Sequence, residues 1–230
     1  MKQLLIFLLC TELLSGCAAT SVNVLEHKKP SKPFSKLLAI YIDGNFELKF
    51  LDSSFFNICI QPTLADTNNT SIRYDAEDVL SKKFSSSGTS IVKSSDIFNS
   101  AVNSYNDFIK QINDLGIDGI LLVSRGSYSH TIHELPSISS PIPNPVLSAV
   151  PMGNPVFLPV QTSVSVGGRS YKTPNVTFEC YLFKSNTYFP LWKAQLDTKG
   201  KGYYNGKAAL QNSMAQQLAK SLTDNHYIFR

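Results

Sequence analysis

Apolar and polar positions divide the chain into blocks of different period. Leu37-Leu38-Ala39-Ile40-Tyr41-Ile42 is a continuous apolar run closed by Asp43-Gly44, which reads as a buried strand. Phe46 to Ile60 is rich in β-formers, densest at Phe55-Phe56-Asn57-Ile58-Cys59-Ile60, and predicts one or two more strands. After a polar loop over 62–71, a helix is predicted from Tyr74 to Phe84. Asp75, Glu77 and Asp78 lie in its first turn and Lys82 and Lys83 in its last, as the helix dipole favours. Thr89-Ser90-Ile91-Val92 predicts a strand. A second helix, Asn99 to Leu115, places Val102, Tyr105, Phe108, Ile109 and Ile112 on one face, with Gly116 as its stop. Ile117 to Ser124 is a strand. Val176–Phe183 and Tyr188–Leu196, joined at Lys184-Ser185-Asn186-Thr187, predict a hairpin. A last helix, Lys207 to Thr223, carries Leu210, Met214, Leu218 and Leu222 at steps of four beside Ala208, Ala215 and Ala219. The order predicts an α/β (α+β) sandwich, a mixed sheet with about three helices packed on it.

The N-terminus follows another pattern. Met1-Lys2-Gln3 is a short positive start, Leu4 to Leu9 is apolar, and small residues lead to Cys17. Residues 1–16 read as a signal peptide, too short for a transmembrane helix of about 20 apolar residues. Leu14-Ser15-Gly16-Cys17 resembles the bacterial lipobox, with Glu12 as a departure inside the apolar stretch. The resemblance implies cleavage before Cys17, which would carry diacylglyceryl and an N-linked acyl chain such as palmitate. Several chains anchor stably where one holds only marginally. By similarity with enterobacterial lipoproteins, Ala18 after the cysteine implies the outer membrane, with the protein facing the periplasm. The alternative is an ordinary cleaved secretory signal. Residues 17–35 are polar, contain Lys28-Lys29-Pro30 and Lys32-Pro33 and show no period. They read as a lipidated flexible tether reaching at most roughly 55–60 Å, with a single domain over 36–230.

Of the four cysteines, Cys10 leaves with the signal and Cys17 takes lipid, so Cys59 and Cys180 remain in an oxidising compartment. A bridge between them would close a loop of about 120 residues, worth roughly 4–5 kcal/mol on loop entropy alone. The alternative is two free thiols acting as small hydrophobes.

The lipobox, the Leu-Leu-Ala-Ile strand, the Ile117-Asp118-Gly119-Ile120-Leu121-Leu122-Val123 strand, the Pro190-Leu191-Trp192-Lys193-Ala194 return strand and the alanine-rich last helix carry a resemblance. The chain is similar, over about 36–228, to outer-membrane lipoproteins with a TolB N-terminal-like, anticodon-binding-type α/β domain. That group includes curli-secretion, Pel-export and peptidoglycan-synthase-activator lipoproteins. The resemblance implies a non-catalytic binding or scaffold subunit in envelope assembly, secretion or polymer export, working as a homo-oligomer or with an envelope partner. Alternatives are a monomeric activator that reaches a periplasmic synthase on its tether, and a wall or polysaccharide hydrolase. Fold-level analogy does not extend to single residues.

Between Glu134 and Arg169 there is no charged residue, and Pro136, Pro141, Pro143, Pro145, Pro151, Pro155 and Pro159 account for seven of the twelve prolines. This insertion, 135–160, is too apolar for ordinary disorder and too rich in proline for internal strands, although Gln161 to Val166 alternates in strand fashion. It reads as an interaction arm in extended or polyproline-like form, with Pro141, Pro143, Pro145, Val150, Met152 and Phe157 as contacts. A loop packed over its own sheet and a membrane-spanning hairpin are the other readings.

Composition narrows the function classes. The net charge of +4 is spread without a dense basic stripe, which argues against nucleic acid. His130-x-x-His133-Glu134 has metal-like residue types, but positions three apart on a strand face opposite ways. Asp43, Asp75 and Asp78 are accounted for by a turn and a helix start, and Gly167-Gly168-Arg169 lacks the strand–loop–helix setting of a phosphate loop. Trp192, Tyr188 and Phe189 read as core and rim, and Lys199-Gly200-Lys201-Gly202 as a turn. No catalytic residue, metal or cofactor is expected.

Overall fold

Strand β2, Lys36–Ile42, is buried along almost its whole length. A strand covered on both faces has no reason to alternate, which explains its continuous apolar run. The computed structural model describes residues 18–46, 48–66, 70–98, 102–134, 138–148, 156–166, 170–200 and 206–229. The other strands are β1 (Ala19–His27), β3 (Ser90–Lys93), β4 (Gly119–Glu134), β5 (Ile138–Ser148), β6 (Val156–Val166), β7 (Ser170–Lys184) and β8 (Trp192–Lys199). Three long helices, here α1 (Thr70–Phe84), α2 (Tyr105–Asp114) and α3 (Lys207–Asp224), match the three expected. No helix among the described residues is long and apolar enough to cross a membrane.

The chain divides into two compact units, one of 1–130 with 173–230 and the other of 131–172. The first is the predicted α/β body. Its sheet runs β1-β8-β7-β4-β2-β3, parallel where β2 pairs with β3 and β4 and antiparallel where β8 pairs with β7 and β1. Alternate residues serve two cores. Leu37, Ala39 and Tyr41 pack with α1 and α3 residues such as Leu80, Phe84, Met214 and Leu218. Leu38, Ile40 and Ile42 pack with Phe108 and Ile112 of α2 and with Phe56 and Ile60. Alternate strand side chains point to opposite faces, so the sheet separates the two cores.

Local chemistry fixes the ends of elements. Ser104 caps α2 by accepting from the Asp107 N–H at 3.1 Å while its own hydroxyl donates to Asp107 Oδ2 at 2.7 Å. Gly116 ends that helix at φ +64°, in the left-handed region glycine adopts without penalty. The Asp118 carboxylate accepts from the Ser35 N–H and hydroxyl and from the Lys36 N–H, at 2.8–3.0 Å, and so joins the starts of β2 and β4. Gly119 is required there for space: a Cβ would stand 2.6 Å from Leu37 Cδ2 and 2.8 Å from Phe34 Cδ1.

Three expectations are corrected. The 17–35 tether is not free chain, because Ala19–His27 forms the edge strand β1 on β8. An edge strand takes its hydrogen bonds from one neighbour and needs little burial, so its sequence lacks an apolar period. Thr20 Oγ1 meets Thr198 Oγ1 at 2.9 Å and Ser213 Oγ of α3 at 2.8 Å, and Ser213 Oγ donates to the Ala18 carbonyl at 3.0 Å. Beyond β1 the chain is held by Tyr227, whose hydroxyl lies 2.9 Å from His27 Nδ1, accepts from the Lys28 N–H at 3.1 Å and reaches the Lys28 and Leu191 carbonyls. Tyr227→Phe removes the hydroxyl's hydrogen bonds while the Lys28 N–H keeps the Leu191 carbonyl at 2.8 Å, and is expected to cost about 0.5–1.5 kcal/mol. The check is the urea midpoint together with faster hydrogen exchange at residues 27 and 28. Unchanged exchange there would contradict the role given to the hydroxyl.

The second correction concerns 46–60, where strands were expected. The chain is helical over Ser53–Phe55, π-helical over Phe56–Ile60 and helical again over Gln61–Ala65. Asp52 starts it by accepting from the Phe55 N–H, and Phe56, Ile60 and Leu64, four apart, are the buried positions. That spacing was the helical signal within an apolar run that β-propensity also fits. Third, of the two readings left open for the remaining cysteines, the bridge is not the one found. Cys59 and Cys180 are free thiols, and Cys180 belongs to one core while Cys59 packs against the other, with the sheet between them.

Candidate functional site

The second unit carries the sequence-predicted contact residues. The stretch is extended, but it is paired where internal strands were not expected: residues 138–148 and 156–166 form an antiparallel two-stranded ribbon over eleven register pairs. Proline lacks the N–H that a ladder requires and is tolerated only where that group would face away from the partner. Along a strand the N–H directions alternate with period two. Pro141, Pro143 and Pro145 are spaced by two, and Pro145 stands opposite Pro159, so all four share one register class. A ribbon of two strands has an outer edge on each, and this class accommodates the prolines there. Proline also removes donors from such an edge and thereby discourages further strand addition. Phe157 lies in β6 opposite Leu147. Val150, Met152 and Cys17 lie outside the described residues.

The histidines of β4 are placed separately. Tyr128 Oη is 3.2 Å from His130 Nε2, with the rings edge to face, whereas His133 stacks on Tyr171 with centroids 4.6 Å apart. Among the described residues no group of three or more His, Cys, Asp or Glu side chains could hold a metal ion.

Within the first unit the sequence reading missed a cavity of about 140 Å³ near the C-terminal end of β2, between β2, β4, β7 and the start of α3. Tyr41, Arg125, Tyr128, Lys207 and Gln211 supply its polar lining and Val176, Phe178 and Leu210 its apolar wall. Arg125 Nε holds Asp43 Oδ1 at 2.6 Å. Tyr41 is 1% exposed and Gln211 4%; the Gln211 side chain faces the Tyr41 hydroxyl, and neither Tyr41 Oη nor Gln211 Nε2 has a close hydrogen-bond partner elsewhere among the described residues. A buried polar group left unmatched costs about 1–3 kcal/mol. Burial, then the Asp43 charge, pushes the Tyr41 hydroxyl far above its ordinary value, with the Arg125 charge and the Gln211 side chain acting the other way, so it stays protonated and can donate. Partial loss of hydration, then the Arg125 charge, holds the Lys207 ammonium below its usual value, with Asp43 and Asp75 acting the other way. The sequence signal for this site was present: Gln211 is polar on the buried face of α3, beside Leu210 and Met214.

No family model matches the chain, and no curated protein matches it. Solved structures similar to it include two of one protein. One is the PelC dodecamer from Paraburkholderia phytofirmans, 11% identical, with a TM-score of 0.42 over 90% of this chain and 97% of that one. The other is a single-substitution variant of the same dodecamer in a different crystal form, 11% identical, with a TM-score of 0.43 over 90% and 99%.

Proposed function

We propose that this chain is an outer-membrane-anchored periplasmic lipoprotein and a non-catalytic scaffold subunit in envelope assembly, secretion or polymer export. In this reading Cys17 is the lipid anchor and the ribbon of the second unit is the contact with other copies of the chain. The observation that carries it is the ribbon itself: a separate compact unit in a stretch without a charged residue from 135 to 168. An uncharged surface loses little on desolvation and suits the centre of an interface. The position of β1 adds a consequence. Only Ala18 separates Cys17 from β1, so a lipid on Cys17 holds the body close to the membrane. This short spacing favours the scaffold reading over an activator reaching its target on a long tether.

The test is the mass of the mature protein in mild detergent, measured by mass photometry, beside Cys17→Ala and a variant in which 138–166 is replaced by a short Gly-Ser link. The expected result is a discrete oligomer for the mature chain and a folded, lipidated monomer for the ribbon deletion. A monomeric mature chain, or an oligomer of unchanged copy number after the deletion, overturns the reading.

A further inference from the structure

We propose that the cavity between β2, β4, β7 and α3 is a binding site for a small monocarboxylate with a short apolar body. The proposal is independent of the assembly role. The cavity's polar lining converges donors. Tyr41 Oη and Gln211 Nε2 are buried with no close partner beyond each other, Arg125 has two nitrogens beyond the one engaged by Asp43, and Lys207 adds an ammonium at the first turn of the 18-residue helix α3. Gly206 precedes that helix without a side-chain cap, so the positive end of the dipole adds to the donors. A set made of donors selects an acceptor.

The lining itself favours a single negative charge. Arg125 pairs with Asp43 at 2.6 Å, and Lys207 is the lining's other cation, with Asp75 acting on it from outside the lining. The apolar wall of Val176, Phe178 and Leu210 has nothing to offer a bare inorganic oxyanion and suits a few methylenes. The placement near the C-terminal end of β2, a strand parallel to both its neighbours, is where open α/β sheets generally receive ligands. Water alone could fill a cavity of this size, and the experiment separates the two occupants.

Butyrate is titrated into the full-length chain in mild detergent by calorimetry, with butanamide as its uncharged counterpart and inorganic phosphate as an anion without an apolar body. Saturable butyrate binding at about millimolar concentration, with at least tenfold weaker binding of butanamide and of phosphate, supports the site. Tyr41→Phe and Gln211→Leu are each expected to weaken butyrate about 5- to 10-fold while changing the urea midpoint little, because neither group has a close partner beyond the other. Lys207→Gln, at an exposed helix position, is expected to weaken it tenfold or more with the fold intact. Failure of butyrate to bind, equal binding of butanamide, or tighter binding of phosphate overturns the proposal. So does a Tyr41→Phe variant that loses stability and keeps its affinity, since the hydroxyl would then serve the fold.

Discussion

Glu77→Ala is expected to lower the unfolding free energy by about 3–6 kcal/mol, from three orphaned donors at roughly 1–2 kcal/mol each. Glu77 is fully buried on α1. Its Oε1 accepts from the Tyr41 N–H at 3.1 Å and the Ser94 hydroxyl at 2.6 Å, and its Oε2 from the Ser95 N–H at 2.8 Å. The pairing of β2 with β3 ends at Ala39, so the carboxylate continues for Tyr41 what the neighbouring strand no longer supplies. It also serves the start of the short helix Ser94–Ile97, where Lys93 gives no side-chain cap. Domains of this kind have about 5–15 kcal/mol in total, so the variant approaches the limit of folding. Glu77→Gln keeps one acceptor oxygen, faces the Ser95 N–H with another donor and is expected to cost less. Trp192, the chain's one tryptophan, reports both transitions in urea by its fluorescence. A loss under 1 kcal/mol in Glu77→Ala would show that the clip is dispensable.

The same group sets a pH dependence. Burial pushes the Glu77 carboxyl above the usual glutamate range, and the hydrogen bonds from Ser94, Ser95 and Tyr41 restrain the rise. The folded chain therefore holds this proton more tightly than the unfolded chain. Its contribution to stability is complete below the ordinary glutamate value of about 4.3 and is lost as pH rises through the folded value. The stability difference between Glu77→Gln, which carries no such proton, and the parent is expected to shift accordingly across that window in urea midpoints.

Trp192→Ala is expected to cost about 3–5 kcal/mol, the range for emptying a large aromatic site in a packed core. The side chain is wholly buried and lies edge to face with Tyr227 at 6.5 Å. Its strand, β8, pairs with β7 on one side and β1 on the other, Trp192 standing opposite both Leu182 and His27. The cavity would thus loosen the edge strand together with the Tyr227 clip behind it. Far-ultraviolet circular dichroism in urea gives the midpoint, since the fluorophore is gone, and amide exchange across β1 should rise. Its Nε1 has no partner among the described residues, so Trp192→Phe forfeits no hydrogen bond and is expected to cost less than half as much. Equal losses in the two variants would contradict a packing role.

The sequence by itself determined the α/β class, the three long helices, β2 and the Gly116 stop, because each is a local choice between two periods reinforced by caps and charges: four-residue steps at Leu210, Met214, Leu218 and Leu222, an unbroken run at 37–42. Where that choice was ambiguous locally, tertiary context decided it. The apolar run at 55–60 could satisfy either period, and the core below the sheet took Phe56, Ile60 and Leu64 from a helix. Segment 19–27 has no pattern of its own and becomes a strand only because β8 offers an open edge. The prolines at 141, 143, 145 and 159 argue against strands one by one, yet their common register class admits a ribbon once the two strands are set opposite each other. The separation of Cys59 from Cys180, the Glu77 clip and the cavity at Tyr41, Arg125, Lys207 and Gln211 join residues 17 to 170 positions apart. Such meetings depend on which strands lie side by side and which face each side chain takes, and no local period along the chain encodes that.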